Sequence, residues 1–188
     1  RRELDIEQDN MEGWFMPETY SYTVGSTSRD ILRRAHNEMK NYLDKNWKGR
    51  DPSLPYDSPY QALIMASIIE KETAKVDERP RIASVFVNRL QKKMKLQTDP
   101  TVIYGVKDRY DGNIRRRDLE DDNPYNTYVI EGLPPTPIAM PGKEAVKAAL
   151  HPDKTNFLYF VAKGGGAHQF STTLAEHNHA VKRYVLEQ

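Results

Sequence analysis

Ser67-Ile68-Ile69-Glu70-Lys71-Glu72-Thr73 closes the apolar run Leu63-Ile64-Met65-Ala66-Ser67-Ile68-Ile69, setting two carboxylates against a stretch that must be buried. At helical spacing Glu72 has Ile69, Ile68, Met65 and Ile64 three, four, seven and eight residues behind it, on the most apolar stripe of the helix. Glu70 instead follows Ser67, Ala66, Leu63 and Ala62, a smaller and more polar set that reads as the margin of the buried face. Desolvation disfavours an ionised carboxyl and raises its pKa, which is how a Glu becomes a general acid. Glu72 is therefore the better candidate, although two solvated residues at a fraying helix end would leave the same local pattern. Two residues apart on a helix, the two side chains point about 200° away from one another. They cannot flank one bond as a pair.

Outward from this helix, expected over about Ser58 to Thr73, the periodicity gives a mostly helical chain. Thr27-Ser28-Arg29-Asp30 has the capping-box pattern and opens a helix with Ile31, Leu32, Ala35, Met39, Tyr42 and Leu43 at helical spacing, ending near Trp47 to Gly49. A further helix begins around Asp77, with Pro80 in its first turn and Ile82, Val85, Phe86, Val87 and Leu90 on its buried side. Leu96 to Pro141 is rich in Pro, Gly, Asn and Tyr, holds only short helical candidates, and is far longer than an ordinary connection; such segments are usually functional. A helix near Lys143 to Leu150 precedes a strand over Phe157 to Ala162, a turn at Gly164-Gly165-Gly166, a second strand around His168 to Ser171, and a terminal helix capped by Thr173 to Glu176 and ending near Leu186.

Three further stretches follow the acid-bearing helix: Leu96-Gln97-Thr98-Asp99-Pro100-Thr101-Val102-Ile103-Tyr104-Gly105, then Tyr125-Asn126-Thr127-Tyr128, then Gly132-Leu133-Pro134-Pro135-Thr136-Pro137-Ile138. In this order and at these separations they resemble the catalytic domain of the endolytic peptidoglycan transglycosylases of the MltG (YceG-like) family. The resemblance runs from Glu12-Gly13-Trp14-Phe15-Met16-Pro17-Glu18-Thr19-Tyr20 to the final helix. Ile69-Glu70-Lys71-Glu72-Thr73 is also similar to the acid-bearing helix of other lytic transglycosylases and goose-type lysozymes, and that similarity aligns Glu72 with their single acid.

The resemblance implies an α+β fold with a lysozyme-like helical core, an elaborated loop region and a small antiparallel β-sheet. It implies cleavage of the β-1,4 bond between N-acetylmuramic acid and N-acetylglucosamine, with a 1,6-anhydromuramoyl end and no water consumed. It implies residues 23–188 as the catalytic domain, after a tail and aromatic lead segment over 1–22, the remnant of a LysM-like region. A membrane anchor would precede it, so the full protein would work on the periplasmic side of the inner membrane in the bacterial cell envelope. Implied partners are peptidoglycan glycan strands and peptidoglycan synthases; contact with a membrane would come only through that anchor.

Such a site needs polar groups to fix sugars and aromatic faces to receive their rings. Gln97, Thr98, Asp99, Tyr104, Tyr125, Asn126, Thr127 and Tyr128 supply these types as candidate substrate-binding residues. Lytic transglycosylases in general place a Tyr near the acid; Tyr125 and Tyr128 both qualify. Asp99, in an Asp-Pro pair, equally suits a turn. Gly132-Leu133-Pro134-Pro135 shapes a groove wall. Two alternatives stand beside the transglycosylase: a muramidase of the same geometry in which water replaces the C6 hydroxyl, and a glycan-binding scaffold for cell-wall synthases.

The composition narrows the rest. Lys plus Arg number 28 and Asp plus Glu 27, a formal charge of +1, so no global field argues for nucleic acid. No cysteine is present, which excludes disulfides and thiol chemistry. No cofactor is implied. His177 and His179 lie two apart rather than at ligating spacing, so no metal site is expected, and packing or solvation is favoured for His168 over a reach into the groove. Lys92, Lys93 and Lys95, and Arg115 to Arg117, read as solvated basic faces, with steering of substrate carboxylates as the alternative.

Overall fold

A computed structural model of the chain describes residues 10–186. The polar tail expected over residues 1 to 10 lies outside them except for Asn10, whose side-chain amide donates to Thr136 Oγ1 at 3.1 Å. In chain order the elements are α1 (Ser28–Lys48), α2 (Pro59–Glu72), α3 (Arg79–Gln91), α4 (Asp99–Gly105), α5 (Arg116–Leu119), α6 (Lys143–Leu150), β1 (Tyr159–Ala162), β2 (His168–Ser171) and α7 (Leu174–Val181). Single 3₁₀ turns at Val76–Glu78 and Lys107–Arg109 and a π turn at Lys182–Leu186 extend them. The fold is α+β, helical with a small two-stranded antiparallel sheet.

Helix α1 starts where its capping box predicts: Thr27 Oγ1 accepts from the Asp30 amide at 3.2 Å, and Asp30 Oδ2 accepts from the Thr27 amide at 2.9 Å. Ala35, His36, Met39 and Leu43 form its buried face, while Leu32, expected among them, stays exposed. Helix α2 departs more from the expected stripe and margin. Every residue from Ala62 to Ile69 is buried, which makes it a core helix covered on all sides. Glu70 therefore does not stand at a margin: Ala62, Leu63 and Ala66 behind it are as deeply buried as the residues behind Glu72. Ser67 survives there because its hydroxyl is satisfied twice, donating to the Ile64 carbonyl at 2.7 Å and accepting from the Ile138 amide at 2.9 Å.

Helix α6 lies against α2, and its small residues Ala145, Ala148 and Ala149 let the two backbones come close. Trp14 and Met16 pack into the same core, with Trp14 stacked on Tyr60 at 5.8 Å, so the lead segment is built onto the helical body. Within the long connection, Asn126 Nδ2 donates to the carbonyls of Asp118, Leu119 and Asp121 at 3.2, 3.1 and 2.8 Å.

Strands β1 and β2 pair in the register Tyr159 to Ser171 through Ala162 to His168. Gly164, Gly165 and Gly166 turn between them, all with positive φ, a conformation open to glycine at little cost. Phe160 packs edge-on against Phe86 of α3, and His168 bonds through Nδ1 to Glu78 Oε2 at 2.8 Å. Burial works against the Glu78 carboxylate, but the bonds from the His168 ring and amide outweigh it and hold its pKa below the usual range. The hairpin is thereby fixed to the turn that follows α2. No helix among the described residues is long and apolar enough to cross a membrane.

Candidate active site

The C-terminal end of α2 opens into a cleft of about 440 Å³, walled by α3, the Leu96–Asp99 segment, Tyr128, β1 and α7. Glu72 lines it, half-buried, at the last position of the core helix. Thr98 Oγ1 donates to Glu72 Oε1 in a short hydrogen bond. Three influences act on this carboxyl: burial, the largest, raises its pKa; the Thr98 bond favours the ionised form and lowers it; the nearby Asp99 charge raises it. Burial wins, and the pKa rises from 4.5 to about 7. Near neutrality this group exists in both protonation states, so it can give and take a proton.

Thr98 is held by a small hydroxyl network. Its amide donates to Thr127 Oγ1 at 3.0 Å, its carbonyl accepts from Thr101 Oγ1 at 2.7 Å, and the Thr101 and Thr127 hydroxyls lie 2.8 Å apart. Gln97 precedes it at φ 51°, a left-handed conformation uncommon for a residue with a Cβ, and its amide donates to the Thr127 carbonyl at 3.1 Å. The turn at Gln97 aims Thr98 inward at the acid while leaving the Gln97 side chain exposed at the cleft. Across from it Tyr128 Oη donates to Asp99 Oδ1 at 2.7 Å; burial first, then this bond and the Asp99 charge, keeps the phenol well above its usual pKa.

The structure brings together Glu72, Gln97, Asp99 and Tyr128 as cleft-lining residues, with Thr98 turned onto Glu72. Asn126 and Thr127 are buried beneath and spend their polar atoms on the backbone and on Thr98 and Thr101. The two tyrosines separate. Tyr125 packs against Tyr104 with ring centroids 4.8 Å apart and shares its hydroxyl with Thr136 at 2.9 Å, and neither Tyr104 nor Tyr125 lines this cleft. Gly132 to Pro135 wall a different depression, with Tyr60 and Gln61 near the opposite end of α2.

Glu70 is engaged elsewhere. Its Oε1 pairs with Arg79 Nη2 at 2.9 Å, and its Oε2 accepts from the Gly142 amide at 3.0 Å, at the N-cap of α6. It ties three helices together. Among the cleft residues not expected to bind substrate are two with basic side chains. Arg89 and His177 both line the cleft, and Arg89 could have been found: it sits seven, four and three residues after Ile82, Val85 and Phe86, a charge on the apolar stripe of α3. For His177 no such pattern exists. Among the described residues, no group of three or more His, Asp or Glu is arranged to hold a metal ion.

The fold and cleft define a class: an α+β protein with a desolvated carboxyl lining a cleft at the end of a helix buried from Ala62 to Ile69. More particularly, residues 2–183 match the YceG-like family, and the chain belongs to it. It is 44% identical over 175 residues to the endolytic murein transglycosylase of Bacillus subtilis (strain 168), covering 93% of this chain and 48% of that protein. With the endolytic murein transglycosylase of Streptococcus pneumoniae serotype 2 (strain D39 / NCTC 7466), identity is 31% over 189 residues, covering 93% and 32%. A YceG-like protein from Listeria monocytogenes, with a crystal structure at 2.6 Å, matches with a TM-score of 0.77 at 36% identity, over 95% of this chain and 59% of that one. The chain thus spans about half the length of the Bacillus relative and about a third of the Streptococcus one.

Proposed function

We propose that this chain is the catalytic part of an endolytic murein lytic transglycosylase, cutting glycan strands between N-acetylmuramic acid and N-acetylglucosamine with Glu72 as its single acid. The observation that carries the reading is the Glu72 carboxyl, raised to about 7 by burial at the cleft. Glu72 gives its proton to the glycosidic oxygen as the C1–O bond breaks and positive charge develops on the muramoyl ring. The resulting carboxylate takes the proton of the C6 hydroxyl as that oxygen bonds to C1. Atoms balance without water, and Glu72 ends protonated, as it began.

Tyr128, rather than Tyr125, positions the reacting sugar. With its proton donated to Asp99, its oxygen presents lone pairs to the cleft. Asp99 orients this phenol and, by its charge, helps keep Glu72 protonated. The setting on this reading is the bacterial cell envelope, beside glycan strands and the synthases that extend them. Mass spectrometry of digested strands tests the chemistry: wild type should leave 1,6-anhydromuramoyl ends, and reducing hemiacetal ends would overturn the transglycosylase in favour of hydrolysis. Glu72→Gln should bind strands and leave them uncut.

A further inference from the structure

Arg89 carries a positive charge that nothing among the described residues neutralises. The residue is 7% exposed, on the apolar stripe of α3, and lines the same cleft as Glu72. Its Nε donates to the Leu158 carbonyl at 2.7 Å, and its Nη1 to the carbonyls of Lys95 and Leu96 at 3.1 and 3.0 Å and to Gln97 Oε1 at 3.4 Å. All four acceptors are neutral, and Nη2 has no hydrogen-bond acceptor among the described residues. Below the guanidinium lies the Tyr159 ring at 5.0 Å, with His177 stacked on that ring at 5.2 Å. Burial first, and the Arg89 charge second, hold the His177 pKa below its usual value, so Arg89 is the charge at this end of the cleft.

Taking a guanidinium out of water without an anion is strongly unfavourable. Tying the 95–97 turn to Leu158 takes donors and not a charge. The residue before, Asn88, ties α3 to the neighbouring 155–157 segment with a neutral amide, donating to the Thr155 and Phe157 carbonyls at 2.9 Å each. What the staple leaves unexplained is the charge and Nη2, the one nitrogen without an acceptor among the described residues, on a guanidinium fixed from behind by four acceptors. A charged donor held in this way suits a carboxylate oxygen.

We propose that Arg89 binds a carboxylate carried on the muramoyl substituent of the substrate strand, completing in the complex the ion pair that the free protein lacks. The proposal rests on the transglycosylase reading and adds to it a requirement for substrate charge. In stem-bearing strands the lactyl carboxyl is consumed in the amide bond to the peptide, so the carboxylate is one of the stem's own. In strands stripped of stems, the lactyl carboxylate itself is free.

The test measures Kd with the uncut-strand variant Glu72→Gln against three preparations: stem-bearing strands, the same strands with their carboxyls converted to methylamides, and stem-stripped strands. Methylamidation should weaken binding about 10- to 100-fold, the range for losing a hydrogen bond to a charged group. Adding Arg89→Gln should remove that difference, checked by circular dichroism for folding; if the doubly substituted protein does not fold, the methylamide comparison alone decides. Stem-stripped strands that bind as well as stem-bearing ones show that the freed lactyl carboxylate can replace the stem's; weaker binding shows that only the stem's carboxylate reaches Arg89. An unchanged Kd on methylamidation overturns the proposal. Failure of the underlying reading is seen separately, as wild type leaving no anhydro ends on unblocked strands.

Discussion

Replacing Glu72 by Gln should stabilise the protein while abolishing its chemistry, and the gain should depend on pH. In the unfolded chain this carboxyl ionises near 4.5; in the fold, burial holds it to about 7. Between those values the folded state binds more protons than the unfolded one, so folding stability falls as pH rises through the window. Below about pH 4.5 both states are protonated and no penalty exists. Above about 7 the folded protein holds an ionised carboxylate that costs about 3 kcal/mol relative to water. The amide of Gln keeps the shape and can still accept from Thr98, but it never ionises. Thermal melts of wild type and Glu72→Gln should therefore nearly coincide at about pH 4.5, and at about pH 8 the variant should melt about 6–12 °C higher, at 2–4 °C per kcal/mol for a domain of this size. A gain equal at both pH values, or a variant less stable at about pH 8, would refute the claim that the carboxyl is desolvated.

On the proposed mechanism the same protonation state governs activity, so kcat/KM should fall as pH rises through about 7, read from initial rates of anhydro-end release. Thr98→Val removes the donor that favours ionised Glu72 and should move this alkaline limb up by about one pH unit, whereas Asp99→Asn removes a like charge and should move it down. Tyr128→Phe frees Asp99 and should lower kcat roughly 10- to 100-fold, with Tyr125→Phe, outside the cleft, losing far less. Glu70→Gln leaves Arg79 buried without its anion and should cost about 2 kcal/mol in urea unfolding, with the pH profile of the folded enzyme unmoved.

Element positions were legible wherever a local device sets them. The Thr27–Asp30 capping box, Ser58 ahead of Pro59, and the glycine run at 164–166 each fix a boundary through bonds made within a few residues, and each boundary fell where the pattern placed it. The site was legible in part for the same reason. Glu72 ends an apolar run, and Thr98 and Asp99 stand in one short motif. Contacts set by tertiary packing were not legible. Tyr125 and Tyr128 lie three residues apart in one loop, and the tertiary bonds of that loop, through Asn123, Asn126 and Thr127, place one toward Asp99 in the cleft and the other toward Thr136 outside it. Helical phase names the residues behind Glu72 and Glu70 but does not tell the two apart by burial. Phase tells which neighbours along the helix a side chain has, and here α6 covers the face it left open.

On the proposed mechanism, Glu70 and Glu72 separate a structural carboxylate from a reactive one on the same helix. Both follow fully buried apolar residues, so the depth of the helix does not distinguish them. Glu70 receives a guanidinium on one oxygen and a backbone amide on the other, and these two bonds hold α2, α3 and the start of α6 together. Glu72 receives one neutral hydroxyl and faces the charge of Asp99, and that is too little to offset desolvation. Giving Glu72 a cation should convert it to the first kind. Thr98→Lys, whose ammonium can reach the same carboxyl, should pull the alkaline limb well below 7 and quench cleavage at neutral pH; activity retained there would mean that the proton used in the reaction is not the one on Glu72.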